Sequence, residues 1–161
     1  MHDDTRTTEN SAPAPARKRL LARLPWGPIL LVLAFVAVWA WLGRTAPTPP
    51  AFDTGLTLAS AVDTARSGDR YVLAVATADW CAPCQGYKRG ALVDPRVEAW
   101  IEDHAVPVYI NIDESPGDAR LLDVQGIPAT YLIRDGQVVA RASGAMGAGA
   151  LLDWLDRARL N

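Results

Sequence analysis

The chain has 161 residues, with 16 Lys and Arg against 18 Asp and Glu and a formal net charge of −2. This balance argues against nucleic acid as a partner, because nucleic-acid binders carry a basic field over the whole domain. Two cysteines and two histidines exclude a four-thiolate zinc site, a disulfide-dense scaffold and a His-rich centre, so no metal is expected.

An uncharged segment, residues 24–43, dominates the first part of the chain. Sixteen of its 20 positions are hydrophobic. A helix of this length would be about 30 Å long, the thickness of the hydrocarbon core of a bilayer. Trp26 lies near one end and Trp39 and Trp41 near the other, as interfacial anchors do. The pattern predicts one transmembrane helix; the alternative, a cleaved signal peptide, usually has a shorter apolar region.

The residues on either side of this segment predict its orientation. Four basic residues lie within residues 17–23, whereas only Arg44 comes soon after the segment, so the N-terminal side is expected to be cytoplasmic. Residues 1–23 lack periodicity and predict a disordered cytoplasmic tail. Three prolines within residues 44–55 predict an extended, semi-rigid tether. The globular domain is then expected over residues 56–161.

The globular region alternates helical and strand patterns. Its clearest strand is the continuous apolar run over residues 71–77 (YVLAVAT), which is typical of a strand buried on both faces. In chain order, we predict a helix near residues 58–65 capped by Thr57, the strand over 71–77, and a helix after Cys81 with a further helical segment after Pro95. A strand over 106–112 and a short helix over 119–122 are expected next. The last elements are two strands over 129–133 and 137–142 around Asp135 and Gly136, and a helix containing Leu151 and Leu155. The order α-β-α-β-α-β-β-α predicts an α/β protein whose central mixed sheet is flanked by helices.

Both cysteines lie in one motif, residues 80–84 (WCAPC), between the first strand and the next helix. Such a pair can close a small disulfide ring. Cys81 would lie at the helix N-terminus, where unpaired N–H groups favour the reactive thiolate. Cys84 would lie inside the first turn of the helix and would be more buried. An inert disulfide in so small a ring would stabilise the fold little. Haem attachment needs His where this chain has Gln85. We therefore expect a redox-active pair that needs no other cofactor.

Two distant motifs together resemble a known family. Residues 80–84, with residues 126–130 (GIPAT) beyond an α/β unit, resemble the thioredoxin-fold thiol:disulfide oxidoreductases. Residues 78–81 (ADWC) and 93–97 (VDPRV) resemble one branch of the family, the periplasmic C-terminal domain of DsbD-type transmembrane disulfide reductases and related membrane-anchored thioredoxin-like proteins. The resemblance covers residues 56–160 and implies a thioredoxin fold preceded by one transmembrane helix.

The resemblance also implies roles for individual residues. Cys81 would be the nucleophile and Cys84 the resolving thiol. Pro128 would be a cis-proline facing the disulfide, and the backbone of Ile127 would pair with an extended client strand. The implied substrate-binding residues are Trp80, Pro83, Ile127 and Pro128.

The function implied is that of a single-pass enzyme of a bacterial inner membrane, with its N-terminus cytoplasmic and its catalytic domain periplasmic. It would exchange disulfides with extracytoplasmic protein substrates in the reducing direction, with electrons from a transmembrane donor. A disulfide-forming oxidant and a non-catalytic thioredoxin-like adaptor or chaperone are the alternatives.

Three positions near the cysteines depart from the family pattern. Thioredoxins carry a buried Asp six residues before the first cysteine and a Lys that pairs with it; here these positions are Val75 and Tyr109. DsbD-type domains have an acidic residue four positions after the second cysteine, where this chain has Lys88. The proton acceptor for Cys84 is therefore open between water and a carboxylate such as Asp79, and Lys88 is expected to favour thiolate.

Overall fold

The computed structural model describes residues 26–42 and 45–160 of the chain. The chain divides into two compact units, Met1–Arg44 and Thr45–Asn161. The tail predicted over residues 1–23 lies outside the described residues, as do the ends of the predicted transmembrane segment.

The first unit contains helix α1, Trp26–Leu42. Residues 27–40 are all exposed, including large apolar side chains such as Leu31, Phe35 and Trp39. Among the residues that the structure describes, no helix is both long enough and apolar enough to cross a membrane.

The second unit alternates helices and strands. Its elements are α2 (Leu58–Ser67), β1 (Tyr71–Thr77), α3 (Ala82–Arg89), α4 (Pro95–His104), β2 (Ala105–Asn111), α5 (Pro116–Leu121), β3 (Ala129–Arg134), β4 (Gln137–Ser143) and α6 (Ala148–Arg159). Short 3-10 helices cover Pro50–Phe52 and Ala91–Val93. Thr57 caps α2 as predicted, because its side chain accepts a hydrogen bond from the Ser60 N–H. The helical segment predicted after Pro95 is a separate helix, α4, since α3 ends at Arg89 with Gly90 as its C-cap.

The four strands form one mixed sheet in the order β2-β1-β3-β4. Strand β1 is parallel to β2 and antiparallel to β3, and β3 and β4 form an antiparallel hairpin. The hairpin turns at Asp135 and Gly136, whose φ angles of 54° and 82° match the two-residue turn that such a pair favours. Pro107 lies within β2, which tolerates it because β2 is an edge strand.

Alternate residues of β1 face two separate cores, one on each side of the sheet. Leu73 and Val75 join a core with residues of α3, α4 and α6. Val72 and Ala74 join a second core with residues of α2 and with Leu122, which comes directly after α5. The predicted architecture, a mixed sheet flanked by helices, is confirmed.

The segment before α2 packs onto the sheet domain and is not a free tether. Ala46 is 6% exposed and Phe52 is 2% exposed, and Phe52 belongs to the same core as Leu73. The Ala46 N–H also donates a hydrogen bond to Gln85 Oε1 on α3. The compact unit therefore begins at Thr45 and not at the predicted residue 56, because Phe52 adds a large apolar side chain to the core.

Candidate active site

The two cysteines lie where β1 ends and α3 begins. They form a disulfide with their Cα atoms 5.2 Å apart. Cys81 is the N-cap of α3, and its Sγ accepts a hydrogen bond from the Cys84 N–H at 3.2 Å. Pro83 occupies the first turn, where a helix needs no N–H donor. A position at a helix N-terminus of this kind favours the thiolate form of a reduced cysteine.

The loop before β3 lies against the disulfide. The Ile127-Pro128 bond is cis, as the resemblance implied. Ile127 packs against the cluster formed by Ala78, Cys81 and Cys84. Pro128 is buried, and its carbonyl accepts a hydrogen bond from the Gly144 N–H at 2.7 Å, which ties the loop to the end of β4. The structure therefore brings both sequence motifs to one place.

Trp80 offers an apolar surface beside the disulfide. It is 69% exposed, and its Nε1 donates a hydrogen bond to Asp113 Oδ2 at 2.9 Å. Asp113 lies just after β2, and because β1 and β2 are parallel, the residues after their carboxyl ends meet at one edge of the sheet. The sequence predicts no role for Asp113. The parallel pairing of β1 and β2 is the feature that would have placed Asp113 near Trp80.

Gln85, directly after Cys84, connects three segments. Its Nε2 donates to the carbonyl oxygens of Ala78 and Asp79 at 3.4 and 2.9 Å, and its Oε1 accepts from the Ala46 N–H. One buried amide therefore holds the turn before Cys81 and the segment 45–48 against α3. The sequence predicts no structural role for Gln85. Its contacts are with Ala46, Ala78 and Asp79, and the residue pattern of one helix does not reveal contacts with a distant segment.

A polar cluster lies one helical turn beyond Cys84. It consists of Lys88, Asp79, Tyr109 and Thr77, and we refer to it as the Lys88 cluster. The Lys88 Nζ lies 3.4 Å from Asp79 Oδ1 and donates to the Tyr109 hydroxyl at 3.2 Å. The same hydroxyl accepts a hydrogen bond of 2.7 Å from Thr77 Oγ1. The side chain of Lys88 is 1% exposed, whereas that of Asp79 is 54% exposed.

Comparisons with known proteins agree with this geometry. A family model described as a thioredoxin-like domain matches residues 58–159, more than half of the chain. The chain belongs to the thioredoxin-like family. It is 33% identical over 79 residues to the thioredoxin of Rhodospirillum rubrum, covering 49% of this chain and 73% of that one. It is 35% identical over 89 residues to a thioredoxin of Mycobacterium tuberculosis, with 53% and 72% covered.

Solved thioredoxins share the fold of this thioredoxin-like domain. The thioredoxin of Thermus thermophilus superposes with a TM-score of 0.54 at 24% identity, over 64% of this chain and 82% of the other. A mutant thioredoxin of Halobacterium salinarum superposes with a TM-score of 0.50 at 29% identity, over 70% and 95%. With the Cys81–Cys84 disulfide in place, this thioredoxin-like chain is a thiol:disulfide oxidoreductase.

This thioredoxin-like chain has apolar and hydroxyl groups where the family has its buried carboxylate. Val75 is fully buried and pairs with Tyr109 on β2 and Thr130 on β3. The Thr130 Oγ1 lies 3.0 Å from the Tyr87 hydroxyl, which comes from α3. This buried hydrogen bond joins the cysteine helix to the strand that begins after Pro128. Burial raises the pKa of Tyr87 from 10.0 to about 12.

The raised pKa of Tyr87 predicts a loss of stability in alkali. Between pH 10 and 12 the unfolded state releases the phenol proton and the folded state keeps it, so stability is full below pH 10 and falls above it. From neutral pH to about pH 11, the wild type should lose about 1.4 kcal/mol more than Tyr87→Phe. Urea unfolding at both pH values measures this difference. If the wild type and Tyr87→Phe lost the same free energy of unfolding, the raised pKa of Tyr87 would be contradicted, since all other tyrosines are common to both proteins.

Proposed function

We propose that this domain reduces disulfide bonds in extracytoplasmic proteins while residues 24–43 hold it at a bacterial inner membrane. The observation that carries the proposal is the position of Cys81, whose sulfur caps α3 beside the exposed Trp80 and the cis Ile127-Pro128 loop. This arrangement combines a sulfur suited to the thiolate form with a surface for a polypeptide client.

The proposed reaction has two exchange steps. The Cys81 thiolate attacks one sulfur of the client disulfide, forms a mixed disulfide and releases the other client sulfur as a thiolate. Cys84 then loses its proton to water and attacks the Cys81 sulfur, which closes the Cys81–Cys84 disulfide and expels the second client sulfur as a thiolate that takes a proton from water. The client gains two electrons and the domain loses two. Complete burial of Cys84, against 5% exposure of Cys81, favours Cys81 as the sulfur that meets the client.

Client binding is assigned to the surface around the disulfide. The exposed indole of Trp80 supplies apolar contact area, and its hydrogen bond to Asp113 holds the ring in place. Ile127 is half-buried against the cysteines, and its backbone would pair with an extended client segment. Pro83 and Pro128 complete the proposed surface.

Membrane attachment is supported by the uncharged run, which extends beyond both ends of α1, to residues 24 and 43. The exposed apolar side chains of α1 need a non-aqueous partner, and the basic residues before the run favour a cytoplasmic N-terminus. A domain on the far side of the membrane cannot draw electrons directly from cytosolic thioredoxin. The reducing direction therefore calls for a transmembrane donor.

Trapping of the mixed disulfide tests the proposal. In Cys84→Ser the second step is blocked, so the full-length protein should accumulate covalent adducts with clients through Cys81 in its native membrane. Electrophoresis without reductant displays the adducts, reductant releases them, and mass spectrometry identifies the clients. The double variant Cys81→Ser/Cys84→Ser is the matched control and should trap nothing.

The redox state of the wild-type pair decides the direction. Acid quenching and subsequent alkylation should find Cys81 and Cys84 mostly as thiols if the domain reduces clients. A pair found mostly as disulfide would reverse the direction and favour a disulfide-forming oxidant. No adducts with Cys84→Ser would contradict exchange altogether and favour the adaptor.

A further inference from the structure

Lys88 is the one charged residue that is buried in the part of the chain that the structure describes. It lies four residues after Cys84, one turn along α3 and on the same face of the helix. Side chains at this spacing have Cβ atoms about 5–6 Å apart. Cys84 therefore lies one turn, and Cys81 about two turns, from a lysine whose side chain is only 1% exposed, so that water screens its charge little.

Water screens the charge of Asp79, the partner of the Lys88 ammonium group, much more than it screens the charge of Lys88. Asp79 Oδ1 lies 3.4 Å from Lys88 Nζ, but the Asp79 side chain is 54% exposed and that of Lys88 only 1%. Water weakens the field of an exposed charge far more than that of a buried one. From this difference in screening we expect that the two charges do not cancel at the cysteines and that a net positive potential acts there.

The other groups around Lys88 do not change the expected sign of the electrostatic potential at the cysteines. The hydroxyl of Tyr109, on β2, accepts a hydrogen bond from Lys88 Nζ and adds no formal charge. Lys88, Asp79 and Tyr109 line one side of a cavity of about 300 Å³, and residues 45–48, Asn111 and Glu114 line the rest of it. Glu114 is exposed to solvent, and water therefore screens its charge as it screens that of Asp79.

We propose that Lys88 and Asp79 set the redox equilibrium of the Cys81–Cys84 pair with opposite signs, the buried ammonium favouring the reduced form and the carboxylate opposing it. This inference rests on the proposed exchange function. Reduction by glutathione converts the disulfide and two glutathione thiols into the Cys81 and Cys84 thiols and one glutathione disulfide. Ionisation of Cys81 then places a negative charge about two turns of α3 before Lys88, within the range of a charge that burial leaves weakly screened, which draws the equilibrium towards the reduced form.

The test is the equilibrium constant of the full-length protein with glutathione, measured for variants of each charge. Lys88→Met removes the buried charge and keeps an unbranched side chain; its constant for reduction should fall about tenfold, a potential about 30 mV more negative. Asp79→Asn should raise the constant by about threefold, since its charge is partly screened. The pH midpoint of Cys81 ionisation should rise in the first variant and fall in the second.

A control variant, together with the opposite shifts expected for Lys88→Met and Asp79→Asn, separates an electrostatic role of these residues from a structural one. Arg89→Met removes an exposed cation from the next position of α3 and should change the constant less than about twofold. If the Lys88 cluster only held the loop before Cys81, both variants would lower the unfolding midpoint without opposite shifts in the constant, and the inference would fail. If Lys88→Met did not fold, Asp79→Asn alone would decide by the sign of its shift. A wild type that does not exchange with glutathione would instead overturn the proposed function.

Discussion

Replacing Cys81 with serine is expected to reduce the rate of disulfide reduction by at least about a thousandfold. The reason is chemical: a thiolate attacks a disulfide, whereas a serine hydroxyl is not ionised near neutral pH and forms no stable sulfur bond. The position of Cys81 as the N-cap of α3, with the Cys84 N–H at 3.2 Å from its Sγ, concentrates thiolate on this one residue. Turnover of a fluorogenic disulfide substrate measures the loss.

Cys84→Ser provides the matched comparison, because it removes the same atom from the other end of the disulfide. It should lose turnover as well, yet retain the first step, visible as one equivalent of thiol released with the formation of an adduct. Cys84 is fully buried, so it cannot substitute for Cys81 in attacking a client. Activity that survived Cys81→Ser would contradict this assignment. Loss of the first step in Cys84→Ser would contradict the division of roles between the two cysteines.

The sequence was sufficient for the parts of the fold that depend on local pattern. The apolar run of β1, the Asp135 and Gly136 turn and the Thr57 cap each depend on rules that act within a few residues, and the structure contains all of them. The disulfide and the cis Ile127-Pro128 bond agree with the resemblance to a family of known chemistry. The bounds of β2 shifted by one residue and α5 begins three residues earlier than predicted, because the ends of elements carry little signal.

Contacts between distant segments were not predictable in the same way. Gln85 was an unremarkable polar residue in a helix pattern, yet its amide joins α3 to Ala46, 39 positions earlier. Lys88 stands on the buried face of α3, where a charge is rare, and only the placement of Asp79 and Tyr109 explains how its ammonium is satisfied. Composition predicts the local conformation of a proline-rich segment but not the surface on which the segment rests.

The segment Thr45 to Phe52 therefore leads to the second large expected effect. Phe52→Ala should lower the free energy of unfolding of the sheet domain by about 3–5 kcal/mol, the usual range for removing a buried aromatic ring from a core. Phe52 is 2% exposed and belongs to the core that contains Leu73, Tyr87 and Trp100. Its loss removes apolar burial and leaves a cavity that the neighbouring strands and helices are too rigid to fill.

Phe35→Ala is the matched control, since Phe35 and Phe52 are the two phenylalanines of the chain. Phe35 is 69% exposed and lies in α1, outside the sheet domain, so its removal should change the unfolding of that domain by less than about 0.5 kcal/mol. Urea unfolding of the full chain in detergent, monitored by circular dichroism, compares the two variants. A loss below about 1 kcal/mol for Phe52→Ala would mean that residues 45–52 do not stabilise the fold. A tether over residues 44–55 would then describe the segment better. A loss in the expected range would instead make this segment a structural part of the domain, the same segment whose Ala46 N–H binds Gln85, which in turn binds the Asp79 carbonyl before Cys81.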